Sequence, residues 1–379
     1  MNILQICTNF LPGGIQRHVL DLTADLRARG HRVTLAGDAG DWDDRADPDR
    51  IVLPLGRVAG TGGAALQRVT ALVPVALALR REIRARGVEI IHSHETAPAL
   101  AVRLATAGMG LPRLMTFHGS APDREASVAR IGRACADLVI SPSRTSLDSL
   151  IAKGLPRDKT RHLGLGIAPM PAVDPDAVAA LRQELLGPEG RYLILSLSRL
   201  QPQKGIDVMV EVARRVVAQA PGAVFAVAGK GPLREQAEGW ARAAGVADHI
   251  RFLGPVSTVP LHLAASDLFL LTSRWEALPI SIVEAFRAGL PAIATDCGGV
   301  GELIDDQVGA LLPVGDAAAI ADAVLAMIAD PALAARKAAA ALARSHEARF
   351  DPATVHAAFE ATYAEMIARA KVAAKATAR

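Results

Sequence analysis

The segment that decides the fold spans residues 273–302 and reads SRWEALPISIVEAFRAGLPAIATDCGGVGE. The apolar run Leu268–Leu271 precedes it and predicts a buried strand. Pro279 is expected at the first position of the next helix, which is apolar nearly all round and therefore predicted to be buried. That helix nevertheless carries Glu284, a carboxylate that needs hydrogen-bond donors such as ligand hydroxyl groups. The N–H groups at the helix start would attract a phosphate.

A spaced pair of glutamates identifies the family that this segment resembles. Glu276 and Glu284 have seven residues between them and are followed by Ala285, Gly289, Pro291, Thr295, Gly298, Gly299 and Glu302. This run resembles the Glu-x7-Glu signature of glycosyltransferase family 4, whose members have the GT-B fold. The resemblance covers nearly the whole chain and is strongest from Ser198 to Asp316. The competing interpretation is a structural glutamate held by a helix N-terminus.

The order of predicted elements indicates an α/β protein with parallel sheets. Strand-like and helix-like segments alternate from the N-terminus. Strands are expected at Asn2–Cys7, Arg32–Ala36, Val88–His92, Arg113–Phe117, Asp137–Ser141, Arg161–Leu163, Tyr192–Ser198, Val224–Ala228 and His249–Leu253. The resemblance implies two Rossmann-like domains facing a cleft, with residues 1–165 on the acceptor side and 166–350 binding the nucleotide sugar.

The domain junction and the C-terminus follow from composition and from the resemblance. Residues 164–188 are rich in Gly and Pro, which is typical of a linker. The resemblance implies that residues 351–379 form a helix from Pro352 to about Ala370 that returns to the first domain, followed by a polar, frayed tail. Family members often have Asn-Gly-Val-Asp at the junction, where this chain has Leu165-Gly166-Ile167-Ala168. This loop therefore lacks both polar side chains through which family members could contact a ligand.

The composition of the chain indicates a globular protein and favours a reducing compartment. The 379 residues are 51% hydrophobic and 21% charged, as in globular proteins. Aromatic residues make up only 3%, which argues against base-stacking surfaces, so no nucleic-acid partner is expected. The three cysteines are widely spaced, and the start MNILQIC predicts a strand rather than a signal peptide. We expect a cytoplasmic protein, soluble or peripheral on the inner face of the membrane.

Charge is unevenly distributed along the chain. Residues 1–165 carry 22 Lys and Arg against 16 Asp and Glu, a net charge of +6, while the remainder carries −3. This asymmetry fits either an anionic partner, such as a membrane surface, or an arginine-rich solvated surface. Residues 57–86 predict a basic amphipathic helix with a kink at Pro74. Such a helix can dock on anionic lipid or cover the sheet with its apolar face.

Candidate site residues of the first domain lie at predicted strand ends. Gly13 and Gly14 lie between the first strand and its helix, where backbone N–H groups can approach a phosphate or sugar closely. The resemblance implies that His118 contacts the donor sugar near its reacting carbon; a purely structural histidine is the alternative. His92 and His94 share one face of an extended segment near the acceptor side. A metal would need a third ligand there.

Candidate site residues of the second domain follow its strands in the same way. Arg199 and Lys204, in SRLQPQKG, suit a diphosphate at a helix N-terminus and resemble the family's pyrophosphate-binding pair. The resemblance also implies a nucleobase against Val256, a donor sugar at Glu276 and ribose hydroxyls at Glu284. The remaining donor-binding residues are Gly229, Gly231, Ala277, Leu278, Pro279 and Ile280. Catalytic roles fall to His118, Arg199, Lys204 and Glu276.

The implied activity is retaining sugar transfer from a UDP- or GDP-type nucleotide sugar to a glycan or lipid-linked acceptor, without metal or cofactor. Such enzymes serve cell-surface polysaccharide or lipid-linked glycan synthesis. Asp41-Trp42-Asp43, Asp47-Pro48-Asp49 and Asp174-Pro175-Asp176 are interpreted as loops or turns rather than metal sites, because no strongly apolar strand leads into them. A nucleotide-sugar isomerase or epimerase of the same fold, and a non-catalytic nucleotide- or glycan-binding relative, remain alternatives. Gly229-Lys230-Gly231-Pro232 lacks a third glycine, which excludes a dinucleotide fingerprint.

Overall fold

A computed structural model describes residues 1–11, 13–40, 49–59 and 65–377, with the backbone alone for residues 65–69 and 377. The chain divides into two compact units, one of Met1–Ala168 with Asp351–Arg379 and one of Pro169–Phe350. The first predicted domain ended at residue 165, whereas this division lies after residue 168. The predicted loops at Asp41–Asp43 and Asp47–Pro48 lie outside the described residues.

Unit 1 is built on a parallel sheet of seven strands in the order β3-β2-β1-β4-β5-β6-β7. All six strands predicted for this unit are present with shifted ends, and the two-residue strand β3 was not predicted. In chain order its elements are β1 (Asn2–Asn9), α1 (Gly14–Ala28), β2 (Arg32–Asp38), β3 (Ile51–Val52), α2 (Gly56–Ala59), α3 (Ala65–Arg86), β4 (Ile90–Ser93), α4 (Thr96–Ala105), β5 (Arg113–Thr116), α5 (Glu125–Cys135), β6 (Leu138–Ser141), α6 (Arg144–Ala152) and β7 (Thr160–His162).

The helix predicted over residues 57–86 corresponds to α2 and α3, and residues 60–64 lie outside the described residues. Pro74 lies inside α3. One face of α3 packs on the sheet, where Leu79 and Ile83 join Leu4 and Ile6 of β1 in a buried cluster. Covering the sheet, one of the two roles considered for this segment, is therefore observed.

Unit 2 has a six-stranded parallel sheet in the order β10-β9-β8-β11-β12-β13. The strands at Leu268–Leu271 and near residues 192, 224 and 250 were predicted. In chain order its elements are α7 (Pro175–Leu186), β8 (Tyr192–Leu197), α8 (Ile206–Val217), β9 (Ala223–Ala228), α9 (Arg234–Ala243), β10 (Ile250–Gly254), α10 (Val259–Ala264), β11 (Leu268–Leu271), α11 (Ile280–Arg287), β12 (Ala292–Thr295), β13 (Gly309–Leu312), α12 (Ala317–Ala329) and α13 (Pro331–Arg344).

The linker predicted over residues 164–188 contains the division between the units but is too long, because α7 occupies half of that range. Asp174 is the N-cap of α7 and accepts a hydrogen bond from the Asp176 N–H, and Pro175 is the first helical residue. The Asp-Pro-Asp sequence is thus a helix start rather than a turn. Turns and helix starts both favour Asp and Pro, so this short sequence alone does not distinguish them. Only the helix that follows shows which of the two it forms.

The last helix, α14 (Pro352–Thr377), belongs to unit 1. Val355, Phe359 and Tyr363 are buried against Ile3 of β1 and Leu22 of α1. The predicted return of the chain to the first domain is confirmed. The predicted frayed tail from Lys371 is wrong, because α14 continues to Thr377.

Both sheets have the strand order of doubly wound α/β folds, which confirms the predicted fold class. The order reverses between β1 and β4 in unit 1 and between β8 and β11 in unit 2. Ligands of such sheets bind where the two loops diverge at the carboxyl ends of those strands. In unit 2 the loops in question are 198–205 and 272–279.

Candidate active site

The central contact of unit 2 joins Lys204 to Glu276. Lys204 Nζ lies 2.5 Å from Glu276 Oε1, and Ser273 Oγ donates to the same oxygen at 2.6 Å. The side chains of Lys204 and Glu276 are only 12% and 9% exposed. Both donors contact Oε1, so this arrangement holds the carboxylate in one orientation and leaves Oε2 for another group.

Further hydrogen bonds fix the two loops that carry this pair. Thr272 Oγ1 lies 3.0 Å from the carbonyl oxygens of both Lys204 and Gly205. Arg274 donates to both carboxylate oxygens of Asp207, at 3.0 and 2.6 Å. Burial alone would raise the pKa of Asp207, but the hydrogen bonds and the charge of Arg274, together with backbone N–H groups, lower the pKa overall. The loops therefore form one rigid surface at the carboxyl ends of β8 and β11.

Two glycines make this close approach of backbones possible. Gly205 has a φ of +59°, and a Cβ there would lie 2.1 Å from the Thr272 carbonyl oxygen. Gly298 has a φ of +55°, and a Cβ there would lie 1.8 Å from the carbonyl oxygen of Glu276. No L side chain fits either position without moving the loop that carries Lys204 or Glu276.

The predicted donor-binding glycines Gly229 and Gly231 have a packing role in the structure. A Cβ at Gly229 would lie 2.1 Å from the Ser198 carbonyl oxygen, and one at Gly231 would lie 2.2 Å from that of Leu200. Because these glycines have no side chain, the turn after β9 can pack directly on the loop that carries Arg199. Its glycines shape the site whether or not they also touch a ligand.

The helix that carries Glu284 differs from its prediction in two respects. Pro279 is the N-cap and α11 begins at Ile280, so Pro279 precedes the first helical position. Glu284 is half-buried rather than buried, although Val283 and Ala285 beside it are fully buried. The residue is therefore partly accessible, as one that binds ligand hydroxyl groups must be.

The other predicted residues of unit 2 differ in what they can offer a ligand. Ala277, Leu278 and Pro279 have buried side chains, so any contact with a donor would use their backbone. Arg199 is exposed, with its Nη2 3.4 Å from Gln203 Oε1. Val256 is half-buried in the loop after β10.

The candidate residues of unit 1 lie at the carboxyl end of its sheet. Gly13 is the N-cap of α1 and Gly14 is its first residue, and Gly14 is exposed. His118 follows β5 and is half-buried. Its Nε2 lies 3.3 Å from Nδ1 of His94, which follows β4 and is fully buried. The rings of His18 and His118 have centroids 5.7 Å apart.

Buried hydrogen bonds hold His92 and His94 of unit 1 in place. His94 Nε2 bonds to Gln5 Oε1 at 2.9 Å. His92 Nε2 bonds to Thr116 Oγ1 at 2.6 Å, and its Nδ1 to the Tyr363 hydroxyl at 2.7 Å. Within the described ranges, no three His, Cys, Asp or Glu side chains are arranged to hold a metal ion.

Burial controls the ionisation of these side chains. It lowers the pKa of His118 to about 4 and those of His92 and His94 well below their usual range. Burial, with a smaller effect of the Glu276 charge, raises the pKa of the Cys297 thiol to about 12. A neutral imidazole at pH 7 can both donate a hydrogen bond to a sugar hydroxyl group and accept one from it. The Cys297 side chain stays a protonated thiol at this pH and is a poor nucleophile.

Sequence comparison matches each unit to a glycosyltransferase family model. Residues 12–169 match the family model described as Glycosyltransferase Family 4, and residues 178–344 match the one described as Glycosyl transferases group 1. The 2-deoxystreptamine N-acetyl-D-glucosaminyltransferase of Streptomyces fradiae is 30% identical over 339 residues, which cover 81% of this chain and 80% of that enzyme. The chain belongs to glycosyltransferase family 4. The predicted family and enzyme class are thereby confirmed.

Further relatives place this family 4 glycosyltransferase among enzymes of similar length. The GDP-mannose-dependent alpha-(1-6)-phosphatidylinositol monomannoside mannosyltransferase of Mycolicibacterium smegmatis is 28% identical over 353 residues, covering 87% of this chain and 90% of that enzyme. Among solved structures, Anabaena HepE in complex with UDP and glucose matches 96% of this chain and 99% of its own, with a TM-score of 0.82 and 21% identity. Sucrose-phosphate synthase from Thermosynechococcus elongatus matches 97% of this chain and all (100%) of its own, with a TM-score of 0.80 and 21% identity. These likenesses confirm the GT-B fold.

Several residues that build the site were missed by sequence reasoning. Ser273, Thr272 and Asp207 act through hydrogen bonds between loops that are far apart in the chain. Gln5 and His18 lie on a strand and a helix whose pattern predicts only packing. The one available signal was polarity, since Gln5 interrupts the apolar run of β1.

Proposed function

We propose that this family 4 glycosyltransferase moves a sugar from a nucleoside diphosphate sugar, of UDP or GDP type, to a hydroxyl group of a glycan or lipid-linked acceptor, with retention of anomeric configuration. The observation that carries the proposal is the Lys204–Glu276 contact, which places a cation and a carboxylate side by side at the switch point of the unit 2 sheet. Donor hydrolysis and donor isomerisation are the competing outcomes.

The diphosphate is assigned to Lys204 and Arg199. Both lie on the loop between β8 and α8, where the helix N-terminus adds its own attraction for an anion. Lys204 is nearly buried and Arg199 is exposed, so Lys204 offers the stronger interaction and Arg199 the more adaptable one. Cations here stabilise the charge that develops on the departing phosphate, which is the largest contribution expected of a site without metal.

The sugar and the ribose are assigned to the two glutamates. Glu276 accepts hydrogen bonds from Lys204 and Ser273 on Oε1, and Oε2 is assigned to a hydroxyl group of the donor sugar. Glu284 is half-buried in the second turn of α11 and is assigned to the ribose hydroxyls. His118 and the Gly13-Gly14 loop are assigned to the donor sugar and its phosphate, as the family resemblance implies.

Retention is proposed to follow from attack on the same face of the sugar that the diphosphate leaves. The departing phosphate oxygen would take the proton of the acceptor hydroxyl, so the protein need supply no general base. The histidine next to the sugar, His118, is a weak base because burial lowers its pKa to about 4. Positioning and stabilisation of the leaving group would supply most of the acceleration.

Donor binding is tested by calorimetry against UDP, GDP and their sugars, with and without EDTA. We expect one nucleoside diphosphate to bind without any effect of EDTA, and binding to weaken at least tenfold in Lys204→Ala. Arg215→Ala removes an exposed arginine of α8 as the matched control and should leave binding unchanged. Binding that requires a divalent metal, or that survives Lys204→Ala, would contradict the assignment.

Turnover and stereochemistry are tested by NMR of the product formed from the identified donor. Retention gives the same anomeric configuration in donor and product. A changed sugar formed from donor alone, without acceptor, would instead establish an isomerase or epimerase. Inversion of configuration would contradict the proposed mechanism while leaving the donor assignment intact.

An anionic membrane surface is proposed as the acceptor-side partner, with the enzyme peripheral on the cytoplasmic face. Val73 and Leu77 of α3 are 51% and 63% exposed, and Arg81 and Arg84 are exposed on the same helical face. An exposed stripe of apolar and basic residues suits the interface of an anionic bilayer. No described helix is by itself long and apolar enough to cross a bilayer, and only α12 and α13, bent by 103°, reach that length and composition as a pair.

Vesicle flotation tests the membrane assignment. The wild type is expected to float with phosphatidylglycerol-containing vesicles at low salt and not with pure phosphatidylcholine. Serine replacement of both Val73 and Leu77 should abolish flotation, whereas serine replacement of Val314 and Leu342, which are similarly exposed in unit 2, should not. Equal flotation of all three proteins would refute a role for α3.

A further inference from the structure

Three consecutive hydrogen bonds join four side chains of unit 1 into a chain, and the last of these side chains is His118. Thr23 Oγ1 accepts from Gln5 Nε2 at 3.2 Å, Gln5 Oε1 bonds to His94 Nε2 at 2.9 Å, and His94 Nδ1 bonds to His118 Nε2 at 3.3 Å. Gln5, Thr23 and His94 are all buried. The chain thus connects the interior of unit 1 to a half-buried histidine at the carboxyl end of the sheet.

The direction of these hydrogen bonds follows from their chemistry. The amide nitrogen of Gln5 donates to Thr23, and the amide oxygen of Gln5 faces His94 Nε2. Because an amide oxygen only accepts hydrogen bonds, His94 must carry its proton on Nε2. Nδ1 of the neutral His94 ring then carries a lone pair and can only accept a hydrogen bond. It can bond to His118 only if His118 carries a proton on Nε2. Nδ1 of His118 makes no hydrogen bond with any residue that the structure describes.

We infer that Gln5 and His94 are positioning residues that hold His118 as the neutral tautomer protonated on Nε2, so that its Nδ1 lone pair accepts a hydrogen bond from a hydroxyl group of the bound sugar. The inference rests on the proposed function, in which His118 contacts the donor sugar. A fixed acceptor selects a sugar hydroxyl that points its hydrogen at Nδ1. A free imidazole would divide its population between two tautomers, and only one of them could make this bond.

This arrangement suits glycosyl transfer because positive charge develops on the sugar ring in the transition state. A neutral imidazole that presents a lone pair does not repel that charge, whereas an imidazolium beside the sugar would. The neighbouring His18 does not compete for the ring, because neither of its nitrogens has a hydrogen-bond partner among the described residues. Gln5 and His94 touch no ligand in this scheme and act through His118 alone.

The tautomer can be read without ligand by two-bond 1H–15N NMR of histidine rings in the full-length protein. The His118 signals are assigned by their loss in His118→Asn. In the wild type we expect the pattern of a neutral ring protonated on Nε2. In Gln5→Met and in Thr23→Val, which remove the acceptor for His94 and the group that orients Gln5, we expect a mixture of both tautomers.

The matched control is Tyr363→Phe, which removes one hydrogen bond from the adjacent His92 at similar depth but leaves the Gln5–His94–His118 chain intact. It should keep the wild-type His118 pattern. A wild-type ring protonated on Nδ1 would overturn the inference. An unchanged pattern in both Gln5→Met and Thr23→Val would overturn it equally.

Kinetics separate positioning from a loss of packing. In Gln5→Met we expect kcat to fall about tenfold, the effect of one lost hydrogen bond in the transition state, with the Kd for the nucleoside diphosphate unchanged. Tyr363→Phe should keep the wild-type kcat, and an equal loss in that control would overturn the positioning role. A wild type that binds no nucleoside diphosphate would overturn the proposed function instead, and the ligand-free NMR result would still decide the tautomer.

Discussion

Lys204 Nζ and Glu276 Oε1 lie 2.5 Å apart, although 72 positions separate the two residues in the chain. The contact joins the loops after β8 and β11, which are neighbouring strands of the unit 2 sheet. A lysine that binds a diphosphate must therefore divide its charge between the ligand and Glu276. This competition makes the two residues experimentally separable.

Replacing Glu276 by glutamine should separate donor binding from turnover. The amide keeps the size of the side chain but removes the charge that competes for Lys204, so the nucleoside diphosphate should bind as tightly as in the wild type or more tightly. Turnover should fall at least a hundredfold, because the sugar loses its carboxylate contact. Calorimetry and a steady-state assay measure the two effects. Parallel losses of binding and turnover would contradict this separation.

Lys204→Ala should also lower stability, which Arg199→Ala should not. Removing Lys204 leaves Glu276, only 9% exposed, without its cation, at a cost of about 3 kcal/mol in the free energy of unfolding. Arg199 is exposed and its loss should cost less than about 0.5 kcal/mol. Urea denaturation of the two variants checks the difference. Equal stability would mean that the ion pair is not maintained in solution.

Ser273→Ala tests whether the orientation of Glu276 matters for catalysis. The buried Ser273 hydroxyl donates to Oε1, and without it the carboxylate can rotate. We expect kcat to fall about tenfold with little change in donor affinity. Ser266→Ala, which removes a buried hydroxyl bonded to the His262 carbonyl oxygen, is the matched control. If the two variants lose kcat equally, Ser273 has no special role.

Gly298→Ala should displace the Glu276 loop, because the new Cβ would lie 1.8 Å from the Glu276 carbonyl oxygen. Gly289→Ala is a close control, since Gly289 has a φ of +72° with no heavy atom near its Cβ position. Both should lose about 1 kcal/mol from the positive φ. Only Gly298→Ala should lose activity and further stability. Thermal unfolding and turnover are measured for both variants, and equal losses in the two would contradict the prediction.

Acid should destabilise unit 1 through its buried histidines. The pKa values of His18, His92, His94 and His118 in the folded protein lie below the ordinary value of 6.5. The unfolded chain therefore binds more protons below about pH 6.5. The free energy of unfolding is therefore highest above about pH 6.5 and falls as the pH is lowered towards 4. Each histidine that stays neutral in the folded protein contributes a decrease of about 1.4 kcal/mol per pH unit.

His18→Leu should reduce this dependence on pH, because it removes a buried ring with no hydrogen-bond partner among the described residues. Phe359→Leu, whose ring lies 5.5 Å from His18, is the control that removes no titrating group. It should lower stability equally at every pH. Urea denaturation at pH 7.5, 6 and 5 tests both variants, and a wild-type slope in His18→Leu would contradict the prediction.

The sequence by itself predicted ten of the thirteen described strands and the family, and it supplied the candidate site residues. Apolar runs such as Leu268–Leu271 predict strands because a parallel strand covered on both faces must be apolar throughout. The run of matched positions from Glu276 to Glu302 predicted the candidate site, because these residues lie within one short segment of loop and helix. Errors arose where two structures share a composition, as for the helix start at Asp174 and the continuation of α14 beyond Lys371.

Only the tertiary structure decided which side chains meet. Strand order brings the loops after β8 and β11 together, and no local pattern records that Ser273 and Lys204 bond to the same oxygen of Glu276. The chain from Thr23 through Gln5 and His94 to His118 likewise joins four separate elements. Hydrogen-bond partners depend on distances between segments far apart in sequence, and those distances are set by the packing of the whole sheet.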